Sequence, residues 1–177
     1  MEITIPIETA GWKFLANGCH GKVFHRQGCD WIIKHAANDG TRTYLEWVWL
    51  KTKRGEKMRG MPELDFVVGV NEASYVVGMR KYKKLRDHMQ DVGITDLTYP
   101  LHEKEGFPAY MHELLKVFAG ECPSARQNDL HSENFMVDGK TLILIDPSAA
   151  QYRPIGVTDN QDSPEIFPPV DNFELVG

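Results

Sequence analysis

A chain of 177 residues, 42% hydrophobic and 25% charged, is long enough for one domain with a real core, or for two small lobes sharing one. A net charge of −5 argues against general nucleic-acid binding, and no apolar run approaches the roughly 20 residues of a spanning helix, so neither nucleic acid nor membrane is an expected partner. Cys19, Cys29 and Cys122 lack metal-ligand spacing and fit reduced thiols, and Met1 to Pro6 does not read as a signal peptide, so a cytosolic protein is expected.

In chain order, Ile3, Ile5 and Ile7 alternate with polar residues as a half-buried strand does, until Gly11 breaks the pattern. Leu15 to Phe24 then carries Gly18 and Gly21 three positions apart. Backbone without Cβ can approach phosphate oxygens and aim amide hydrogens at them, although a β-turn needs glycine in any case. Trp31-Ile32-Ile33 is an apolar run ending in Lys34. Thr41 to Arg59 reads as a helix, with Tyr44, Leu45, Trp47, Val48 and Trp49 as its apolar surface and Glu46 in its first turns.

Leu64 to Val70 and Ser74 to Met79 read as two strands of a hairpin turning at Asn71-Glu72. After them, Arg80, Lys81, Lys83, Lys84 and Arg86 form the densest basic cluster of the chain. It is either a footprint for an acidic partner or, more commonly, a solvated linker. Gly93 to Pro108 is broken by Pro100, Gly106 and Pro108 and reads as a connecting loop, and Ala109 to Gly120 repeats apolar residues at helical spacing.

The most informative stretch runs from Asp129 to Asp146. Phe135 to Val137 and Thr141 to Ile145 are strand-like, and Asp138-Gly139 between them is a strong hairpin signal. A tight antiparallel hairpin brings its outer ends together, so Asn134 and Asp146 can offer oxygen ligands to one hard cation such as Mg²⁺, with Asp129 just upstream on a loop. Beyond Asp146, five prolines and the acids Asp159, Asp162, Glu165, Asp171 and Glu174 predict an extended tail.

The order glycine loop, strand Lys, helix, helix, Asp, four residues, Asn, hairpin, Asp resembles the protein-kinase-like superfamily and covers roughly residues 11 to 148. The resemblance implies an α+β, compact two-lobed protein-kinase-like fold with a minimal carboxy-terminal lobe. Its expected divisions are an amino lobe to about residue 79, a carboxy lobe over 80–150 and the tail over 151–177. It further implies that Gly18, Gly21 and Lys34 contact ATP phosphates, and that Met79 to Leu85, the hinge between the lobes, lie over the adenine. Glu46 is then the candidate acid for Lys34, or simply a helix-start acid. Asp129 orients the attacking hydroxyl, His131 offsets phosphate charge or is a hydrogen-bonded loop residue, and Asn134 and Asp146 hold Mg²⁺. Gln127-Asn128 and Pro147-Ser148 depart from the residues usual before and after the two acids.

The small size, His131-Ser132 after Asp129-Leu130, and the Ile145-Asp146-Pro147-Ser148 ending are similar to the early serine/threonine protein kinases of short-tailed lytic phages. That likeness implies phosphorylation of host proteins, and of the kinase itself, in the host cytoplasm, with a link to shutting off host transcription. Two rival readings stand beside it. One is a catalytically silent kinase-like module that inhibits a host protein; the other is a small-molecule phosphotransferase, which would account for His131.

Overall fold

The computed structural model describes residues 11–18, 21–71, 74–125 and 129–148. The first half forms an antiparallel sheet of β1 (Lys13–Gly18), β2 (Gly21–His25), β3 (Trp31–Ala37), β4 (Leu64–Gly69) and β5 (Ser74–Arg80), in the order β1-β2-β3-β5-β4. Helix α1 (Asp39–Lys53) lies between β3 and β4 in sequence and packs on β4 and β5. The expected hairpin of Leu64 to Val70 with Ser74 to Met79 is present, with Val67 paired to Val77, and Gly18 pairs with Gly21 at the end of β1–β2. The expected Ile3–Ile7 strand and the tail beyond residue 148 lie outside the described residues.

Helix α1 begins two residues earlier than the apolar pattern suggests. Asn38 is its cap, and the side-chain Oδ1 accepts from the Thr41 amide at 3.1 Å. That bond satisfies one of the amides that the first turn leaves unpaired. The helix also stops at Lys53, well before Arg59, so the basic residues beyond it belong to a connection.

Residues 81–82 link the large sheet to a second one, ordered β6 (Lys83–Lys84), β7 (Phe135–Asp138) and β8 (Thr141–Leu144). β7 and β8 form the expected hairpin, with Asp138 opposite Thr141 and Gly139 at φ +57°, a left-handed turn position that glycine adopts without strain. Leucine and aromatic residues of α3 (Ala109–Glu121) pack beneath it, after a short helix α2 (Leu85–His88), a 3-10 turn at Met89–Val92 and a second at Leu101–Glu103, the latter within the stretch expected to be loop.

One continuous core joins the two sheets. Val67, Val77 and Met79 from the large sheet meet Tyr44, Leu45 and Val48 from α1, Met111, Leu114 and Phe118 from α3, and Phe135, Leu142 and Leu144 from the hairpin. Burying each such aliphatic side chain contributes about 1.5–3 kcal/mol before the ordering cost. The Phe118 ring lies 5.1 Å from both Tyr44 and Trp47, fixing α1 against α3. The Tyr44 hydroxyl crosses this core to donate to the Leu144 carbonyl at 3.0 Å. Among the described residues, the opposite face of the large sheet carries the small buried cluster of Phe24, Ile33 and Val76, with Trp12, Phe66 and Val70 packed against it.

Candidate functional site

Strand β3 points Lys34 to the same sheet face as Ala36, toward α1 and the hairpin. Its Nζ meets Asp146 Oδ2 at 3.3 Å, joining residues 112 positions apart. Asp146 lies two residues beyond the end of β8, and the Ile145 amide between them donates to the Asn134 carbonyl at 3.0 Å. The hairpin therefore brings Asn134 and Asp146 to one end, as its length and turn predict. Asp129 joins them because its amide donates to the Pro147 carbonyl at 3.4 Å.

The loop from Asp129 to Asn134 is closed by its own bonds. Asn134 Nδ2 donates to the Asp129 carbonyl at 2.6 Å, and the Asn134 amide donates to the His131 carbonyl at 3.0 Å. His131 Nδ1 accepts from the Glu133 amide at 3.3 Å, which in the neutral ring puts the proton on Nε2. That nitrogen faces Asp129 Oδ1 at 3.2 Å, so a ring proton there points at the carboxylate, with the Asn134 amide nitrogen 3.3 Å away. Both side chains of the pair remain partly exposed, at 27% for Asp129 and 37% for His131.

Asp146 has a second donor that motif reading does not anticipate. The Thr41 hydroxyl, from the first turns of α1, donates to Asp146 Oδ1. Asn38 Nδ2 donates to the Ser148 carbonyl at 2.7 Å, and Gly40 lies so close to Ser148 that any Cβ there would collide with its side chain. Of the five buried polar side chains among the described residues, Asn38, Thr41, Asn134 and Ser148 gather around Asp146; only Ser74 lies elsewhere. Buried polar groups are costly unless bonded, so their concentration marks the part of the molecule whose geometry is specified by polar contacts. The Tyr75 hydroxyl is fully buried on the same sheet face with no hydrogen-bond partner. Burial, and then the charge of Asp146, raise its pKa above the ordinary phenol range.

The expectation for Glu46 is corrected. Its carboxylate accepts from Arg42 Nε at 2.7 Å, one helical turn away, and Lys34 pairs with Asp146 instead. At 100° per residue Glu46 is about 140° around α1 from Thr41, the residue that faces Asp146. Met79, expected beside a nucleotide, is buried in the main core, paired with Ile32 and Leu64 across the sheet. Gly18 and Gly21 face each other across the end of β1–β2, and Gly21 pairs with Ala36, two residues beyond Lys34.

Nothing in the sequence alone assigns Asn38, Thr41 or Ser148 a role in the site. Asn38 followed by an apolar periodic run is a recognisable cap signal, but nothing local ties it to residue 148. Among the described residues no group of three His, Cys, Asp or Glu side chains could hold a metal, and no helix is long and apolar enough to cross a membrane.

No family model matches the chain, and no curated protein matches it in sequence. Among solved structures, the Cydia pomonella granulovirus kinase PK-1 is similar with a TM-score of 0.44 at 14% identity, over 81% of this chain and 56% of that one. Aminoglycoside phosphotransferase APH(4)-Ia is similar with a TM-score of 0.38 at 14% identity, over 80% of this chain and 69% of that one. A thermostable mutant of the same enzyme, in ternary complex with ADP and hygromycin B, gives 0.35 at 15% identity over 79% and 68%. The chain thus spans little more than half the length of the granulovirus kinase it matches.

Proposed function

We propose that the chain is an ATP-dependent serine/threonine protein kinase of the phage early type, acting on host proteins in the host cytoplasm. The observation that carries this reading is the meeting of Lys34 and Asp146 at 3.3 Å beside a loop that holds Asp129 and Asn134. A strand lysine, a hairpin-end acid and a loop acid in one cleft are the parts phosphoryl transfer asks for, since that chemistry is mainly positioning and charge neutralisation.

In this reading Lys34 and the amides near Gly18 and Gly21 hold the ATP phosphates. Asp129 takes the proton of the acceptor hydroxyl as that oxygen bonds to the γ-phosphorus and the bond to the β-phosphate oxygen breaks, releasing ADP. His131 Nε2 holds the Asp129 carboxylate in place for that transfer. Asn134 and Asp146 suit Mg²⁺: both are hard oxygen donors, and this ion uses one or two protein ligands together with phosphates and water. The anchored amide nitrogen of Asn134 leaves its oxygen as the ligand atom. When bound, the ion supplies charge neutralisation on the phosphates.

A second reading has its own observation. Thr41 and Lys34 already satisfy both oxygens of Asp146, an arrangement that a silent module inhibiting a host protein could keep for stability alone. Incubation with radiolabelled ATP, Mg²⁺ and host extract tests the choice. Label in discrete protein bands, absent with Lys34→Met, supports the kinase; no label and no nucleotide binding by calorimetry supports the silent module.

A further inference from the structure

The run from residue 80 to 86 contains five basic residues and no acid. Arg80 is already engaged, its guanidinium 3.1 Å from Asp138 and 3.6 Å from Glu63. Lys81, Lys83, Lys84 and Arg86 are exposed and make no ion pair among the described residues. Nearby carboxylates are accounted for differently: Asp91 pairs with His88, and exposed Asp87 directly follows the run. Four uncompensated cations on a chain of net charge −5 are a local field opposite in sign to the whole.

Their position gives that field a use. β6 is the edge of its sheet, and Lys84 pairs with Met136, two residues along β7 from Asn134. Strand geometry places Lys84 about 5 Å across and about 7 Å along from Asn134. Helix α2, carrying Arg86, packs on the 132–134 turn of the Asp129 loop. An extended polypeptide rising about 3.3 Å per residue, with its hydroxyl at Asp129, covers that distance in three or four residues.

We propose that Lys81, Lys83, Lys84 and Arg86 bind an acidic stretch of polypeptide, and that the chain selects acceptors with Asp or Glu three or four residues from the phosphorylated hydroxyl. The selectivity rests on the kinase reading above; the binding of the acidic stretch does not. The test uses the full chain and the triple variant Lys83→Gln/Lys84→Gln/Arg86→Gln, with acceptor peptides carrying Glu or Ala at those positions. Wild-type protein should show a KM about tenfold lower for the Glu peptide, and the variant should lose that preference, giving equal KM values for the Glu and Ala peptides at saturating Mg-ATP. Anisotropy of a labelled Glu peptide supplies a readout independent of turnover, with wild-type binding weakening as salt rises.

Peptide binding that the triple variant abolishes, with no phosphate transferred to any acceptor, would remove the kinase reading and leave the acidic docking face standing. Equal KM values for Glu and Ala peptides, with equal binding by wild type and variant, would overturn the inference. So would tighter binding of a single-stranded oligonucleotide than of the peptide. Binding seen only after Asp159, Asp162, Glu165, Asp171 and Glu174 are changed to Asn or Gln would assign the face to the chain's own acidic tail and overturn acceptor selection.

Discussion

The two walls of the candidate site are built in opposite ways. On one, Lys34, Asn38 and Thr41 reach Asp146 and Ser148 through bonds that span 105 to 112 positions of sequence, and Asn38, Thr41 and Ser148 are buried. On the other, Asp129, His131, Glu133 and Asn134 bond to one another across two to five positions, and all but the buried Asn134 stay open to solvent. The first wall exists only when the large sheet, α1 and the hairpin have all assembled. The second needs little beyond its own loop. Chemistry and stability should therefore be coupled at the first wall and separable at the second.

The sharpest test of that difference compares Asp146→Asn with Asp129→Asn. Asp146→Asn should abolish Mg²⁺-dependent nucleotide binding and transfer. It should also lower stability by about 1–3 kcal/mol, because Lys34 is left half-buried without its anion. Asp129→Asn should cut transfer about a hundred- to ten-thousandfold while keeping Mg-ATP affinity, since a group that accepts a proton acts mainly in the transition state. Its effect on stability should stay within about 0.5 kcal/mol, as for other partly exposed positions. Calorimetry with and without Mg²⁺, thermal melts and phosphate transfer read all three quantities. Equal destabilisation by the two variants would break the contrast.

High pH should open the first wall. Burial holds the Tyr44 phenol well above its ordinary pKa, and burial together with the Asp146 charge does the same for Tyr75. Tyr82, in the link between the sheets, is pushed up to about 12, again mainly by burial. Unfolded tyrosines ionise near pH 10, so above about that value the unfolded chain holds fewer protons than the folded one and stability falls as pH rises. Below about pH 10 these phenols are neutral in both states and contribute no pH dependence. Circular dichroism and phenolate absorbance should therefore change together above about pH 10, in one transition rather than two.

Asn38→Ala should cost about 1–2 kcal/mol, toward the upper end of cap substitutions, because it removes both the cap to Thr41 and the bond to the Ser148 carbonyl. Denaturant unfolding measures the loss. Transfer should fall too, since Thr41 is carried by the same helical turn. A stable but inactive variant would mean that Asn38 acts on the site without contributing to the fold.

The contrast also explains what the sequence could reveal. Asp129, Asn134 and Asp146 are legible because a hairpin of two strand-like runs around Asp138-Gly139 fixes where its ends go. The large sheet is legible from its apolar runs, and Lys34 from its place at the end of one of them. Thr41 and Ser148 are not, because an ordinary helical threonine and a serine after proline acquire meaning only when α1 docks on residues 146–148. Glu46 was misassigned for the same reason: sequence spacing gives the helix but not its rotation about its own axis. In the docked helix it is Thr41, about 140° around α1 from Glu46, that faces Asp146.

The smallest expected effect tests that rotation. Glu46 forms an i,i+4 pair with Arg42, and both side chains are roughly a quarter exposed. Such a pair contributes about 0.3–0.5 kcal/mol, and glutamine keeps an acceptor for the Arg42 Nε proton. Arg42 Nη1 also donates to the Asn71 carbonyl at 2.9 Å, so the guanidinium remains held without the carboxylate. Glu46→Gln should therefore leave thermal stability, Mg-ATP affinity and transfer close to wild type, in contrast to Thr41→Val, which removes a donor from Asp146. The informative failure is a variant that folds and melts normally yet loses transfer a hundredfold. That result would mean α1 turns during the reaction to bring Glu46 to Lys34, and that the Lys34–Asp146 pair belongs to a resting arrangement from which the nucleotide releases it.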